Sequence, residues 1–241
     1  MFWGVILQRT IFISDIHGHL DPFKKLLDQI QYDSSKDQLI LVGDYVDRGA
    51  QSKETIDFVM SLVEEGAIAL KGNHDDWFAK WVRDPFAVST NFLIHGGVET
   101  IESYLGDLSE SDFDGGKFKL WSENILETHS HHIEFLEQLP LTYEGDEFIA
   151  VHAGVDPDKD DWSESEEQVL LWIRERFIKN DLPHLDKPVI FGHTPTPNLH
   201  HSADVYFGKN KIGIDGGYTF GHQLNALILE DGKMKSQALK R

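Results

Sequence analysis

Three polar segments follow apolar runs at an even spacing along this chain. Asp15, Asp44 and Asn73 are 29 residues apart, and apolar runs at 10–13, 39–42 and 67–70 precede them. A strand, a crossover helix and a return strand take about 30 residues. Continuous apolar strands separated by amphipathic helices imply a parallel sheet, in which ligands bind outside the carboxyl ends of the strands. We therefore expect the three polar segments to meet at one edge of a sheet.

The rest of the chain predicts a mixed α/β fold. Asp21-Pro22 is a predicted cap and first-turn proline for one helix, and Ser52 is a predicted N-cap for the next. Helical patterns from about 76 to 140 predict a helical lobe inserted into a single domain of residues 1–241. Further strands are predicted at 142–151, with a turn at Gly145-Asp146, and at 189–191, 205–207, 211–214 and 224–230, with a helix over 166–178.

Composition excludes several classes of function. The 241 residues carry a formal net charge of -19, and this negative field argues against binding to nucleic acid or to an anionic membrane. No run approaches the roughly 18 apolar residues that span a bilayer, and the first residues lack a signal-peptide pattern. These features predict a cytoplasmic enzyme. The absence of Cys excludes disulfides, thiolate zinc sites and cysteine nucleophiles, and leaves the redox compartment open.

Several polar residues at the predicted strand ends have the chemistry of metal ligands. Asp15 and His17 can turn toward one ion, while Asp44 from the neighbouring strand can bridge to a second. An amide oxygen and two imidazoles complete the set, from Asn73, His152 and His193. Oxygen and nitrogen ligands without sulfur suit Mn, Fe, Zn, Co or Ni. We expect two divalent ions, with Mn²⁺ first among these candidates.

The motifs resemble those of a known family. Over roughly 11–229, the chain is similar to the phosphoprotein phosphatase branch of the calcineurin-like metallophosphoesterases. The motifs that carry this resemblance are Asp15-Ile16-His17-Gly18, Gly43-Asp44-Tyr45-Val46-Asp47-Arg48-Gly49, Gly72-Asn73-His74-Asp75 and Gly192-His193, together with His152. The resemblance implies a layered α/β/β/α sandwich of mixed sheets with a helical insertion.

The resemblance also implies roles for individual residues. One metal would be held by Asp15, His17 and Asp44, and the other by Asp44, Asn73, His152 and His193, with an attacking hydroxide between them. Arg48 would clamp the phosphate, and Arg174 would be a second clamp. His74, paired with Asp47, would protonate the leaving alcohol. Asp215 is similar to a family segment that supports the site.

Two residues narrow the branch of the family. Pro195 stands where many metallophosphoesterases have a second metal-binding His, which argues against the nuclease and cyclic-nucleotide branches. Symmetrical diadenosine tetraphosphate hydrolases often lack an acid at the position of Asp47, although some relatives keep it. We therefore expect a serine/threonine protein phosphatase acting on a phosphorylated protein or small phosphoester, with a symmetrical diadenosine tetraphosphate hydrolase as the alternative. A silent binding module is a third hypothesis, which the intact ligand set opposes. The physiological substrate and the oligomeric state stay open.

Each motif also has a structural interpretation. Asp15-Ile16-His17 alone is compatible with a capped turn, Asn73-His74-Asp75 with a helix start, and Arg48 and Arg174 with surface ion pairs. His129, His131 and His132 are interpreted as a solvated helix end rather than a metal site, since no glycine loop or carboxylate pattern accompanies them. Trp77 and Trp81 are interpreted as a packing stripe of the helical lobe.

Overall fold

The first of two β-sheets combines the start and the end of the described chain. The computed structural model describes residues 9–108 and 115–241. In this sheet, β1 (Arg9–Ile13), β2 (Asp37–Leu41) and β3 (Ile68–Ala69) are parallel, as the even spacing of the motifs predicts. β9 (Gln223–Glu230) pairs antiparallel with β1, and β10 (Lys233–Lys240) pairs antiparallel with β9. The strand order is β10-β9-β1-β2-β3.

The second sheet is built from the strands between these two groups. Its order is β4 (Thr142–Glu144), β5 (Ile149–Val151), β6 (Val189–Phe191), β8 (Lys211–Gly213) and β7 (Tyr206–Phe207). The central strands β5, β6 and β8 are parallel, whereas β4 and β7 are antiparallel edge strands. Both sheets are therefore mixed, and each contains three neighbouring parallel strands whose carboxyl ends point the same way.

Nine α-helices accompany the sheets in the described part of the chain. The helices are α1 (Leu20–Gln29), α2 (Ser52–Glu64), α3 (Asn73–Arg83), α4 (Pro85–Phe92), α5 (Val98–Leu105), α6 (Gly115–Gln138), α7 (Glu167–Trp172), α8 (Glu175–Lys179) and α9 (Pro197–His200). A π-helical turn, Leu93–Gly97, joins α4 to α5, and short 3₁₀ turns form at Trp162–Glu164 and Tyr218–Phe220. None of the described helices combines the length and apolar character that crossing a bilayer requires.

Alternating side chains of each strand pack against different layers. In β1, Ile11 and Ile13 face a core shared with α1, α2 and α3, whereas Phe12 faces the second sheet. This follows from the period of two along a strand. On the far side of the second sheet, Val151 and Phe191 pack against α7 and α8. The layers thus run α/β/β/α, and the predicted fold class is confirmed.

Three local predictions are wrong. Ser52 is not an N-cap but the first residue of α2 after Gln51, because its hydroxyl accepts the Asp47 N–H instead. The cap of α1 is His19, two residues before Asp21-Pro22. The helix predicted over 166–178 is broken into α7 and α8, because Ile173 is extended and Arg174 is non-helical.

The interface between the sheets generates a stability prediction. Phe12 is fully buried there and meets Phe148 edge to face, with ring centroids 4.7 Å apart. Phe12→Ala should lower the free energy of unfolding by about 3–5 kcal/mol, because it removes a large side chain and leaves a cavity. Urea unfolding at a fixed metal concentration measures the change. Phe207→Ala is the control, since Phe207 is 54% exposed on β7 and should change stability by less than about 0.5 kcal/mol.

Candidate active site

Loops at the carboxyl ends of strands from both sheets converge on one cavity. The loop after β1 is joined to the loop after β2 by backbone hydrogen bonds, with Asp15 N–H to Gly43 O at 3.0 Å and His17 N–H to Asp44 O at 2.9 Å. In the second sheet, the Gly192 N–H donates to His152 O at 2.9 Å. The His193 N–H donates to the Asp15 carboxylate at 3.0 Å, and this hydrogen bond bridges the two sheets. The structure thus brings together residues separated by up to 178 positions.

The backbone of these loops contains many residues with left-handed φ angles. Among the described residues, six of the ten non-glycine positions with left-handed φ are predicted site residues: Asp15 (54°), His17 (47°), Asp44 (60°), Asp47 (72°), Arg48 (70°) and His193 (61°). Such angles are uncommon for residues with a Cβ, and they persist only where the surrounding structure enforces them. The loops are therefore held in shapes that place Asp15, Asp44, Arg48 and His193 on the cavity wall, with His17 and Asp47 in contact beside them.

Two glycines allow the loops to approach this closely. A Cβ on Gly72 would collide with the backbone and carboxylate of Asp44, and a Cβ on Gly192 would collide with the carboxylate of Asp15. Only glycine therefore fits where one loop packs against Asp44 and another against Asp15. This contact explains why the motifs combine glycines with acids.

Asp44 lies at the centre of the cluster. Its Oδ2 is 3.6 Å from His17 Nε2, and its Oδ1 is 3.4 Å from His152 Nε2. Two overlapping groups have ligand atoms within 4.8 Å of one another, namely His17, Asp44 and His74, and Asp44, His152 and His193. Asp44 is common to both groups, so one carboxylate can serve two neighbouring ions.

The remaining predicted ligands border these two groups. Asp15 Oδ1 is 4.0 Å from His17 Nε2, and Asn73 Oδ1 is 2.9 Å from His152 Nε2. The geometric grouping places His74 beside His17, where the resemblance implies Asp15. The two His74 nitrogens already contact Asp47 and Arg48, whereas Asp15 also lines the cavity.

The imidazoles present their ligating nitrogens toward one another. Nδ1 of His17 and Nδ1 of His152 each lie 2.8 Å from a backbone carbonyl, those of Val46 and Val42. The His193 ring hydrogen-bonds the backbone of Trp172, and its buried Nε2 has no protein partner. Fixing one ring nitrogen in this way sets the tautomer of a metal-binding His. Burial lowers the pKa of all three rings, which favours the neutral, ligating form.

Buried carboxylates give the cavity an excess of unpaired acid. Burial first, and the neighbouring Asp15 second, raise the pKa of Asp44 and of Asp215 well above the ordinary value. Buried charges in proteins are normally paired or coordinate metals. This donor set of carboxylates, an amide oxygen and imidazole nitrogens fits divalent cations, and the buried His193 Nε2 has no protein partner to displace.

A chain of hydrogen bonds leads from α5 to the cavity. Thr100 on α5 donates its hydroxyl to Asp47 Oδ1 at 2.7 Å, and Asp47 Oδ2 lies 2.6 Å from His74 Nδ1. Burial raises the pKa of Asp47 well above its ordinary value. Burial, followed by the charge of Arg48, lowers the pKa of His74 well below its ordinary value. The chain orients His74 so that its Nε2 faces the cavity.

Both predicted arginines reach the same cavity. Arg48 Nη1 is 2.6 Å from His17 Nε2, and Arg48 Nη2 is 3.0 Å from His74 Nε2. Arg174 stands at the break between α7 and α8 and donates to His193 O at 2.7 Å. The cavity has a volume of about 340 Å³ and is lined by Asp15, Asp44, Arg48, His74, Arg174, His193, Pro195, Pro197, Asn198, Asp215, Phe220 and His222.

Two residues without a predicted role organise the site. Asp75 accepts hydrogen bonds from the N–H groups of Asp44 (2.8 Å), Tyr45 (2.9 Å) and Gly72 (2.8 Å), so it locks two loops together. Its place in the Gly72-Asn73-His74-Asp75 motif was a signal for this role. Thr100 had no such signal, because it is 53 residues from Asp47 and belongs to no motif.

The interpretation of the His129, His131 and His132 segment as a solvated helix end is wrong for His132, whereas His131 is exposed. His132 lies inside α6, is fully buried, and contacts the Tyr104 hydroxyl at 2.7 Å and Asp57 at 3.0 Å. Asp57 comes from α2, so no sequence pattern near the histidines reveals this carboxylate.

Trp77 and Trp81 lie in two different surroundings. Trp81 is fully buried in the core beside Phe92, in agreement with the predicted packing role. Trp77 is half-buried and contacts Trp172 in a tilted and His74 in an edge-to-face arrangement, with ring centroids 4.5 and 5.3 Å away. Trp77 therefore joins α3 to the α7 side of the site.

Comparisons with known proteins agree with this architecture. Curated relatives named symmetrical bis(5'-nucleosyl)-tetraphosphatase are 32% identical over 148 residues (Vibrio campbellii; 61% of this chain, 45% of the relative) and 52% identical over 66 residues (Aliivibrio salmonicida; 27% and 24%). The matched stretch spans less than half the length of these relatives.

Solved structures share the fold at low identity. A protein provisionally described as a diadenosine tetraphosphatase matches with a TM-score of 0.67 at 19% identity, covering 97% of this chain and 94% of that one. A serine/threonine phosphatase from Saccharomyces cerevisiae matches with a TM-score of 0.64 at 15% identity, covering 99% and 81%.

The family model for calcineurin-like phosphoesterases matches residues 8–226. This confirms the resemblance at the level of the family, whereas the curated relatives carry a different name from the phosphoprotein phosphatases. With nearly the whole chain matched and both sheets in place, this protein belongs to the calcineurin-like phosphoesterases.

Proposed function

We propose that this protein is a metal-dependent phosphoesterase that hydrolyses dinucleoside tetraphosphates symmetrically. The observation that carries the phosphoesterase chemistry is the position of Asp44, which lines the cavity together with Arg48 and His74 and whose two oxygens face His17 and His152. The choice of substrate is supported by the curated relatives, which are named for this activity.

Serine/threonine protein phosphatase activity is the second candidate. It is supported by Asp47, whose carboxylate lies 2.6 Å from His74 Nδ1. An Asp–His pair suits the protonation of a basic alkoxide, the leaving group of a phosphoserine. The leaving group of a phosphoanhydride is far less basic and needs this help less, so Asp47 is compatible with both substrates.

The proposed metal centre uses six side chains. One divalent ion is held by Asp15, His17 and Asp44, and the other by Asp44, Asn73, His152 and His193. Manganese is the expected ion, and Fe, Zn, Co and Ni suit the same ligands. Bound divalent ions bring the pKa of a water to about 7 and stabilise charge on phosphoryl oxygens.

The arginines are proposed to hold the substrate's phosphate oxygens. Arg48 Nη1 hydrogen-bonds His17 Nε2, the nitrogen that we assign to an ion. A ligating imidazole nitrogen has a single lone pair. The hydrogen bond from Arg48 to His17 Nε2 must therefore break when the ion binds. The Arg48 guanidinium is then available to the phosphate, where planar pairs of N–H groups match phosphate oxygens. Arg174, anchored on His193 O, approaches from the second sheet.

His74 is proposed to deliver a proton to the leaving oxygen. Asp47 holds Nδ1, which leaves Nε2 directed at the cavity. Burial and Arg48 keep His74 neutral in the free protein, because they lower its pKa. An anionic substrate bound to Arg48 offsets that positive charge and favours the protonated ring.

The substrate proposal is tested by product analysis. With Mn²⁺ supplied, diadenosine tetraphosphate should give ADP as the nucleotide product, at a kcat/KM at least tenfold above that for a phosphoserine peptide. Chromatography of the nucleotides and phosphate release from the peptide measure the two reactions. Equal amounts of ATP and AMP, or a preference for the peptide, would contradict the proposal.

The shared carboxylate generates a metal-binding prediction. Asp44→Asn should lose bound metal and activity together, because Asp44 is proposed to contact both ions. Metal content by mass spectrometry and hydrolysis of p-nitrophenyl phosphate are the measurements. Asp181→Asn is the control, since Asp181 is exposed on the surface beside Lys209. An Asp44→Asn protein with full metal content and ordinary turnover would refute the assignment.

The proposed acid generates a prediction on leaving groups. His74→Asn should reduce kcat on an alkyl phosphate by about 10² to 10⁴, the usual range for a general acid. The loss on p-nitrophenyl phosphate should be much smaller, because its leaving group needs little protonation. Steady-state kinetics on both substrates measure the difference, and equal losses would count against the acid role.

A further inference from the structure

The cavity has a charged half and a neutral half. The charged half is lined by acids, imidazoles and arginines, namely Asp15, Asp44, Arg48, His74, Arg174, His193 and Asp215. The neutral half is lined by Pro195, Pro197, Asn198, Phe220 and His222. The roles proposed above account for the charged half alone. The neutral half adjoins the phosphate region, so the part of a substrate next to its phosphates would lie there.

Phe220 is the largest apolar side chain of the neutral half. It is 59% exposed, and the Arg48 guanidinium carbon lies 5.2 Å from the centre of its ring. The 3₁₀ turn that carries it lies between Gly217 and Gly221, whose φ angles are 70° and 92°. The two left-handed glycines set the direction of this short turn, and an exposed aromatic face beside a phosphate-binding arginine results.

The rest of the neutral half is formed by the loop that follows β6 and by the start of α9. The Thr196 N–H donates to Asp215 O at 2.8 Å, which ties this loop to the one leading to Phe220. A Cβ placed on Gly217 would lie 3.2 Å from the His222 ring and 3.7 Å from Pro195. The neutral half is thus one surface built from two joined segments, one after β6 and one around the 3₁₀ turn that carries Phe220.

The polar groups of this surface have no protein partner. Within residues 9–108 and 115–241, neither the Asn198 amide nor the His222 ring makes a side-chain hydrogen bond, and both residues are exposed. An amide offers a donor and an acceptor together, which match the edge of a nucleobase.

We propose that this neutral half is a nucleoside subsite, in which Phe220 stacks on the base of the nucleotide whose phosphates Arg48 holds. The inference rests on the proposed function, because it assigns the nucleoside part of the same substrate. A flat apolar face, adjacent hydrogen-bonding groups and continuity with the phosphate region suit a base better than a peptide chain. The cavity volume of about 340 Å³ falls in the range of roughly 300–1,000 Å³ for small-molecule sites.

The test compares ligands that differ in the nucleoside. Calorimetry with the Mn²⁺-loaded protein gives Kd for ADP and for inorganic pyrophosphate, and kinetics give KM for diadenosine tetraphosphate. Phe220→Leu should raise the ratio of the ADP Kd to the pyrophosphate Kd about tenfold, within the range for loss of one base–aromatic stack. KM for diadenosine tetraphosphate should rise by a similar factor. Phe220→Trp should leave the Kd ratio and the KM close to those of the unmodified protein, since it keeps a stacking ring.

Phe207→Leu is the matched control, because Phe207 is similarly exposed but does not line the cavity; its Kd ratio should equal that of the unmodified protein. An unchanged Kd ratio in Phe220→Leu would overturn the subsite, as would a change confined to phosphoserine peptide binding. If diadenosine tetraphosphate is not cleaved but the Kd ratio still depends on Phe220, the proposed function fails and the subsite stands.

Discussion

The buried carboxylate of Asp44 is the contact on which the rest of the site depends. It faces His17 in the first sheet and His152 in the second, at 3.6 and 3.4 Å. Its Oδ1 also accepts the His74 N–H at 2.9 Å, so one side chain orients groups from three loops. Burial without a paired cation disfavours its charge. Binding of cations therefore completes a site that the fold leaves electrostatically unbalanced.

The sequence predicts the parts of this protein that depend on local pattern. The spacing of Asp15, Asp44 and Asn73 predicts the parallel strands, and the chemistry of the motifs predicts which side chains meet. Contacts between distant segments escape prediction: Asp57 pairs with His132 across 75 positions, and Thr100 with Asp47 across 53. Other differences are missed local signals. The Asp231-Gly232 turn that joins β9 to β10 has left-handed φ at both residues, which an Asp-Gly pair favours.

The substrate is where motif and relatives point in different directions. Asp47 favours a phosphatase when read as a motif residue, whereas the curated relatives are named for dinucleotide hydrolysis. The geometry is compatible with both readings, because Asp47 does not line the cavity and contacts His74 instead. In the proposed mechanism Asp47 assists proton delivery through His74, and it does not touch the group that distinguishes a nucleotide from a peptide. Specificity must therefore come from the cavity wall, which short catalytic motifs do not encode.

The left-handed backbone at six site residues has a consequence for laboratory evolution. Each such residue costs the fold of order 1–3 kcal/mol relative to a relaxed backbone, and glycine adopts the same angles freely. Glycine at His17 or His193 would relieve that backbone cost, but it would remove a buried imidazole proposed to hold metal, and the cavity left behind would offset the gain. Stabilising substitutions therefore belong in the core between the two sheets, and the left-handed residues of these loops should be kept.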